Sequence, residues 1–214
     1  VKKGYSFFLV GLAAVYCVAL VVSNLIAGKL YEAPGGIVLP AGVWLFPIVY
    51  IIGDVIPEVY GLATARRIIL LGFAANLLAV AFFALTLGLP APGFWVGQEA
   101  FVTVLGFTPR LLLASFVGYL VGTNANAWVF VLIKRWTGGR RLWMRTIGST
   151  IVGESLDSAC FITIAFLGVV PLAVLPGMIL AQSAFKTVYE ALATPLTYGV
   201  IGAVRRAEAV AAPA

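Results

Sequence analysis

Histidine is absent from the 214 residues. Its absence rules out Ser-His-Asp and Cys-His nucleophilic catalysis and removes most zinc and haem sites. Cysteine is scarce: Cys17 and Cys160 lie far apart in apolar stretches, with no CxxC spacing. Both read as small buried hydrophobes, not as metal ligands or a disulfide framework. The sequence has no GxxxxGK(S/T) loop and no GxGxxG turn, which excludes nucleotide hydrolysis by a recognised route. No metal and no cofactor is expected, and the chain is not expected to be an enzyme. Charge is also sparse, at 10% of residues, while 62% are hydrophobic. A soluble domain has about 25% and about 45–50% respectively. With a mean hydropathy of +1.08, too few polar side chains remain to cover an aqueous surface. A bilayer is the solvent this composition fits.

A hydrocarbon core about 30 Å thick needs roughly 20 apolar residues of helix. Segments of that kind occupy residues 6–27, 37–61, 67–88, 109–133, 147–169 and 174–203. They predict an all-α membrane protein, with six transmembrane helices in a single bundle and one domain over residues 1–214. Lys2 and Lys3 before the first segment resemble a signal-peptide start, but the apolar run exceeds the 7–15 residues of such a signal, so a retained helix is expected. Between the third and fourth segments, Pro90, Pro92, Gly93 and Trp95 precede the run Ala100–Leu105, which reads as a short interfacial helix.

The net charge of +6 comes from loops. Lys2, Lys3, Arg66, Arg67, Lys134, Arg135, Arg140, Arg141, Arg145, Arg205 and Arg206 all fall on one side of a six-span path, against Lys29 and Arg110 on the other. By the positive-inside rule this bias puts both termini in the cytoplasm. The basic clusters are thus topology signals at lipid headgroups, and nucleic acid is not an expected partner.

Six ionisable residues fall inside the spans: Asp54, Glu58, Glu154, Asp157, Lys186 and Glu190. Facing lipid, they would cost on the order of 15–20 kcal/mol together, more than the roughly 5–15 kcal/mol that holds an ordinary domain folded. Asp54 and Glu58 are spaced i,i+4, Glu154 and Asp157 i,i+3, and Gln182, Lys186 and Glu190 i,i+4,i+8, so each set shares one helix face. The economical arrangement turns all three faces to a common cavity, with Tyr50, Asn124, Asn126 and Gln182 close by. Structural ion pairing is the alternative. Five acids against one lysine cannot all be paired within the spans, so some must be protonated, meet Arg66 or Arg110 at a span end, or await a ligand. Pro47, Gly53 and Pro57 interrupt the second span, which is expected to kink at the prolines. Broken helices with unsatisfied backbone are tolerated at membrane depth where they line a cavity, as in many transporters.

The run Phe46-Pro47-x-x-Tyr50-x-x-x-Asp54-x-x-x-Glu58-x-Tyr60-Gly61, followed by Ala65-Arg66, resembles the signature of the queuosine precursor transporter family, also called the VUT family. The likeness extends to Ser23-Asn24 with Lys29, Pro109-Arg110 with Ala114-Ser115, Trp128, Thr137-Gly138-Gly139, Lys186-x-x-Tyr189-Glu190 and Thr194-Pro195, covering nearly the whole chain. The resemblance implies an inner-membrane importer of 7-cyano-7-deazaguanine and 7-aminomethyl-7-deazaguanine, which are salvaged for the tRNA base queuosine. The family usually has Gln and Asp where this chain reads Thr123-Asn124-Ala125-Asn126. An amide at Asn126 hydrogen-bonds but carries no proton, which bears on coupling there and on the choice between the two precursors.

The residues suit such a substrate chemically. One carboxylate can accept N1–H and N2–H₂ of a deazaguanine side by side, and Lys186 or an amide can donate to its carbonyl oxygen. Phe46, Tyr50, Trp128 and Tyr189 are candidate walls for the flat ring. A carboxylate-rich cavity would also accept the cationic aminomethyl compound, and protons are the expected coupling ion. The competing reading is a substrate-binding subunit of an energy-coupling-factor transporter, which needs a separate ATPase. The lipid bilayer and a small molecule are the expected partners, with a homo-oligomer left open.

Overall fold

The computed structural model describes residues 6–138 and 142–211. Lys2, Lys3, Gly139, Arg140, Arg141 and the side chain of Arg145, all used above, lie outside the described residues. Six helical stretches are long and apolar enough to cross a membrane.

Helix α1 (Phe7–Ile26) opens on Ser6, whose hydroxyl accepts the Leu9 amide at 3.0 Å, an N-cap that satisfies one of the free donors of the first turn. The chain then departs from the expected second span. Residues 37–40 are not membrane helix: Ile37–Pro40 is strand β2, paired antiparallel with β1 (Leu30–Ala33), and the span itself opens at Ala41 with a 3-10 helix over Ala41–Leu45. The reason is local. Pro34-Gly35-Gly36 makes the turn, with both glycines at positive φ (89° and 76°), and β-branched Ile37 and Val38 suit the strand beyond it.

Helix α2 (Phe46–Tyr60) therefore starts later, with Pro47 in its first turn, where its missing N–H costs nothing. Pro57 lies inside the helix and removes one backbone bond there. Gly61, at φ 85°, separates α2 from α3 (Leu62–Leu87), so Arg66 and Arg67 sit on the early turns of α3 and not in a loop. Helix α4 (Gln98–Leu105) is short and lies where the interfacial helix was expected. Helices α5 (Thr108–Trp136), α6 (Leu142–Phe166) and α7 (Leu175–Ala211) complete the bundle. Helix α7 runs past the expected end at 203, which brings Arg205 and Arg206 onto its last turns, and it contains Pro195.

Large side chains on the outer face of α3, among them Leu70, Leu77, Leu78, Phe82 and Leu85, are more than half exposed, as lipid-facing residues must be. At the hairpin end, Ala27, Leu111, Phe161, Ile162, Phe166, Leu175 and Met178 form an apolar core that packs against Leu30 and Val38 of the hairpin.

The closest helix contact is α5 against α6, and glycines make it. A Cβ on Gly122 would stand 2.7 Å from the Asp157 Cβ and 2.9 Å from the Gly153 carbonyl oxygen. A Cβ on Gly118 would reach an Asp157 carboxylate oxygen at 2.8 Å, and one on Gly153 the Asn126 Cβ at 2.8 Å. Gly118-x-x-x-Gly122 is thus a small-residue stripe of the kind that lets membrane helices touch backbone to backbone. It sets Glu154 and Asp157 of α6 against the interior of the bundle.

Candidate functional site

Beneath the apolar core at the hairpin end lies a cavity of about 610 Å³, bordered by α1, α2, α3, α5, α6 and α7. Its volume is in the range of small-molecule sites, roughly 300–1,000 Å³. Lys186 of α7, 4% exposed, is part of its wall. The Lys186 ammonium binds Asp157, stands 3.3 Å from Glu154, and lies over the Phe46 ring at 4.8 Å from the centroid. Tyr50 donates its hydroxyl proton to Glu154 at 3.0 Å. Three helices thus converge on one cation, held by two carboxylates and an aromatic face.

Other groups in the cavity are unengaged. Asp54, one turn beyond Tyr50, lines the cavity with no hydrogen-bond or ion-pair partner among the described residues. Gln182, one turn before Lys186, is fully buried, and neither its amide nitrogen nor its amide oxygen has a partner. Among the described buried side chains the Ser158 hydroxyl is the only other such case. A second polar network borders the cavity near α1. Asn24 donates to Asn76 at 3.0 Å, Asn76 donates to the Gly72 carbonyl at 3.2 Å, and Ser115 donates to Asn24.

Comparison with known proteins identifies a family of transporters. Residues 40–200 match the family profile described as "Putative vitamin uptake transporter". The chain belongs to the vitamin uptake transporter family. It is 30% identical over 182 residues, 84% of this chain and 79% of the relative, to the "Probable queuosine precursor transporter" of Bacillus subtilis (strain 168). It is 30% identical over 125 residues, 58% of this chain and 54% of the relative, to the "Queuosine precursor transporter" of Escherichia coli (strain K12). No solved structure matches. This member of the vitamin uptake transporter family is accordingly a multi-pass membrane transporter and not an enzyme.

Of the candidate residues of this transporter, Tyr50, Asp54, Asn126, Glu154, Asp157, Gln182 and Lys186 line the cavity. Glu58, Asn124 and Glu190 lie outside that lining. Glu58 pairs instead with Arg205 of α7, both side chains 55% exposed, at the end of the bundle where α1 begins and α7 ends. Neighbouring Tyr60 donates to Glu208 at 2.6 Å, and Ser6 donates to the same carboxylate. Asn124 is exposed and donates to the Leu120 carbonyl at 2.7 Å. Glu190 is half-buried, within electrostatic range of Asp54, Glu154 and Lys186. Arg110 meets no carboxylate among the described residues; it donates to the Ile164 carbonyl at 2.6 Å and to that of Leu167, closing the end of α6.

The aromatic walls also differ from expectation. Phe46 and Tyr50 line the cavity with Phe73, Tyr119 and Phe161. Trp128 is 68% exposed, and Tyr189 stacks on Phe185 with centroids 6.4 Å apart. Sequence reasoning named the amides Asn124, Asn126 and Gln182 and the phenol Tyr50 but passed over Asn76 and Tyr119, which lie on helices that carry no carboxylate. A single Asn in the otherwise apolar stretch 68–85 was the available signal.

Proposed function

We propose that the chain imports queuosine precursors, 7-cyano-7-deazaguanine and 7-aminomethyl-7-deazaguanine, across the inner membrane by proton-coupled secondary transport, working as one unit with both termini in the cytoplasm. The observation that carries this reading is the unengaged Asp54 carboxylate in a cavity walled by aromatic rings. Asp54 accepts N1–H and N2–H₂ of the base, and Phe46, Tyr50 and Phe73 sandwich or border its faces. The names of the relatives support the substrate class.

Coupling follows from charge. Four carboxylates, Asp54, Glu154, Asp157 and Glu190, stand on or near the cavity against one ammonium, Lys186. An excess of negative charge in a low-dielectric interior favours entry of a compensating cation. A proton serves for the neutral cyano compound, and the aminomethyl compound brings its own charge. A proton held on the cluster while the base is bound, and released to the cytoplasm after it leaves, ties uptake to the inward proton gradient. The basic residues Arg66, Arg67, Lys134, Arg135, Arg205 and Arg206, all near one end of the bundle, support the orientation.

The test is uptake of labelled 7-cyano-7-deazaguanine by the purified protein alone in liposomes. Accumulation driven by an inward proton gradient, and lost when the gradient is collapsed, is expected. Binding without transport until an ATPase module is added would favour the energy-coupling-factor reading. An orientation check accompanies it: a cysteine placed at Gly93 reacts with an impermeant reagent from outside, and one placed at Gly138 does not.

A further inference from the structure

A second hollow opens on the flank of the bundle, between α1 and α3. The two helices touch at Gly72, where an added Cβ would stand 2.6 Å from Leu20 Cδ1 and 3.2 Å from the Tyr16 ring. Beside that contact the small side chains Ala13, Ala14, Cys17 and Ala75 leave a groove of about 570 Å³. Leu9 and Ile68 form its floor and are buried in one apolar cluster with Ile52 and Ile56 of α2. Val10 and Leu71 form its rim and are more than half exposed. The groove shares no lining residue with the central cavity.

Charge stands at one end of the groove only. Arg67 lines it at the level of Thr64, near the start of α3, and no other charged side chain does. Neither Arg67 nor its neighbour Arg66 has an ion-pair partner among the described residues. The acids at this end of the bundle are engaged elsewhere, Glu58 with Arg205 and Glu208 with Ser6 and Tyr60. From Thr64 to Ala75 the groove follows α3 for roughly 16 Å at about 1.5 Å per residue, half of a hydrocarbon core about 30 Å thick. A helix of a second copy is about 10–12 Å across and would seat along the whole span. A groove one leaflet deep with a cation at its mouth suits a single acyl chain below a phosphate.

We propose that the α1–α3 groove binds an anionic phospholipid, with one acyl chain between Val10 and Leu71 and the phosphate on Arg67. A guanidinium forks onto two phosphate oxygens. The unpaired positive charge of Arg66 and Arg67 favours a headgroup without an ammonium, phosphatidylglycerol over phosphatidylcholine.

The experiment is photo-crosslinking of the purified full-length protein in phosphatidylcholine nanodiscs. They carry a trace of phosphatidylglycerol or phosphatidylcholine with the same diazirine-tagged acyl chain, and mass spectrometry maps the labelled residues. In the unaltered protein the phosphatidylglycerol probe should label residues 10–17 and 68–75 about fivefold more than the phosphatidylcholine probe. Both should label the exposed Leu180 region of α7 alike. Arg67→Gln alters an exposed side chain and should bring the two probes within about twofold of each other in the groove. Arg67→Lys should keep part of the preference, and Ala14→Trp, which fills the groove, should cut labelling there by both. Equal labelling of the groove by the two probes in the unaltered protein would overturn the proposal, as would a preference unchanged in Arg67→Gln. So would an unlabelled groove with intermolecular crosslinking through Cys17, which would seat a second copy there.

Discussion

Lys186 with Glu154 and Asp157 and, at the far end of the same helix, Arg205 with Glu58 are two ion clusters built from the same chemistry and placed in opposite surroundings. In the first the lysine side chain is 5% exposed and the acids 20% and 19%. In the second both partners are 55% exposed. An exposed pair contributes about 0–1 kcal/mol, whereas removing one partner of a buried cluster costs about 3–5 kcal/mol. Asp54 and Glu58 make the same point within one helix. They share a face at i,i+4, yet one turn separates an unengaged acid in a cavity from an acid tied to an arginine at the bundle's end. Depth along the helix, more than face, sorts cavity-facing charge from charge that ties helices together.

The largest effect is expected at Lys186. Lys186→Met should abolish uptake and lower stability by about 3–5 kcal/mol, because Glu154 and Asp157 are left facing each other without a cation. Adding Glu154→Gln to it should recover part of the stability, a coupling that a double-mutant cycle in thermal unfolding would measure. Next comes the α5–α6 contact. Gly122→Leu changes no charge, yet its side chain must displace Asp157 and the Gly153 carbonyl. A loss of about 1–3 kcal/mol and of most uptake is expected. Gly11→Leu on α1, where nothing lies within 4 Å of an added Cβ, is the matched control with uptake retained. The smallest effect belongs to the exposed pair. Glu58→Gln should shift stability by no more than about 1 kcal/mol, and the shift should shrink further in high salt. A collapse on the scale of Lys186→Met would erase the contrast between the clusters.

The sequence made the spans legible because hydropathy and length carry them directly, and the second was expected to begin only four residues too early, at 37 and not Ala41. There the Pro34-Gly35-Gly36 turn and Ile37-Val38 compete with an apolar run that hydropathy alone cannot tell from helix. Pro47 read as an interruption until the helix start moved to Phe46, where it fits. The i,i+3 and i,i+4 spacings put Glu154, Asp157 and Lys186 on faces that meet across the bundle. The same spacings could not separate Glu58 from Asp54, because periodicity reports angle around a helix and not which neighbour waits at each turn. The Gly118-x-x-x-Gly122 stripe was readable as a close-packing signal, but its meaning depends on Gly153 of another helix lying opposite.

The most direct test of the central claim, that the buried cavity and not the exposed clasp receives the substrate, is the affinity of the purified protein for 7-cyano-7-deazaguanine in two single variants. Asp54→Asn and Glu58→Gln make the same change, acid to amide, one turn apart. The account predicts a loss of at least about tenfold for Asp54→Asn, since a hydrogen bond to a charged group contributes about 1.5–3 kcal/mol, and an unchanged affinity for Glu58→Gln. Unaltered binding in Asp54→Asn, with the loss falling instead on Glu58→Gln, would contradict it.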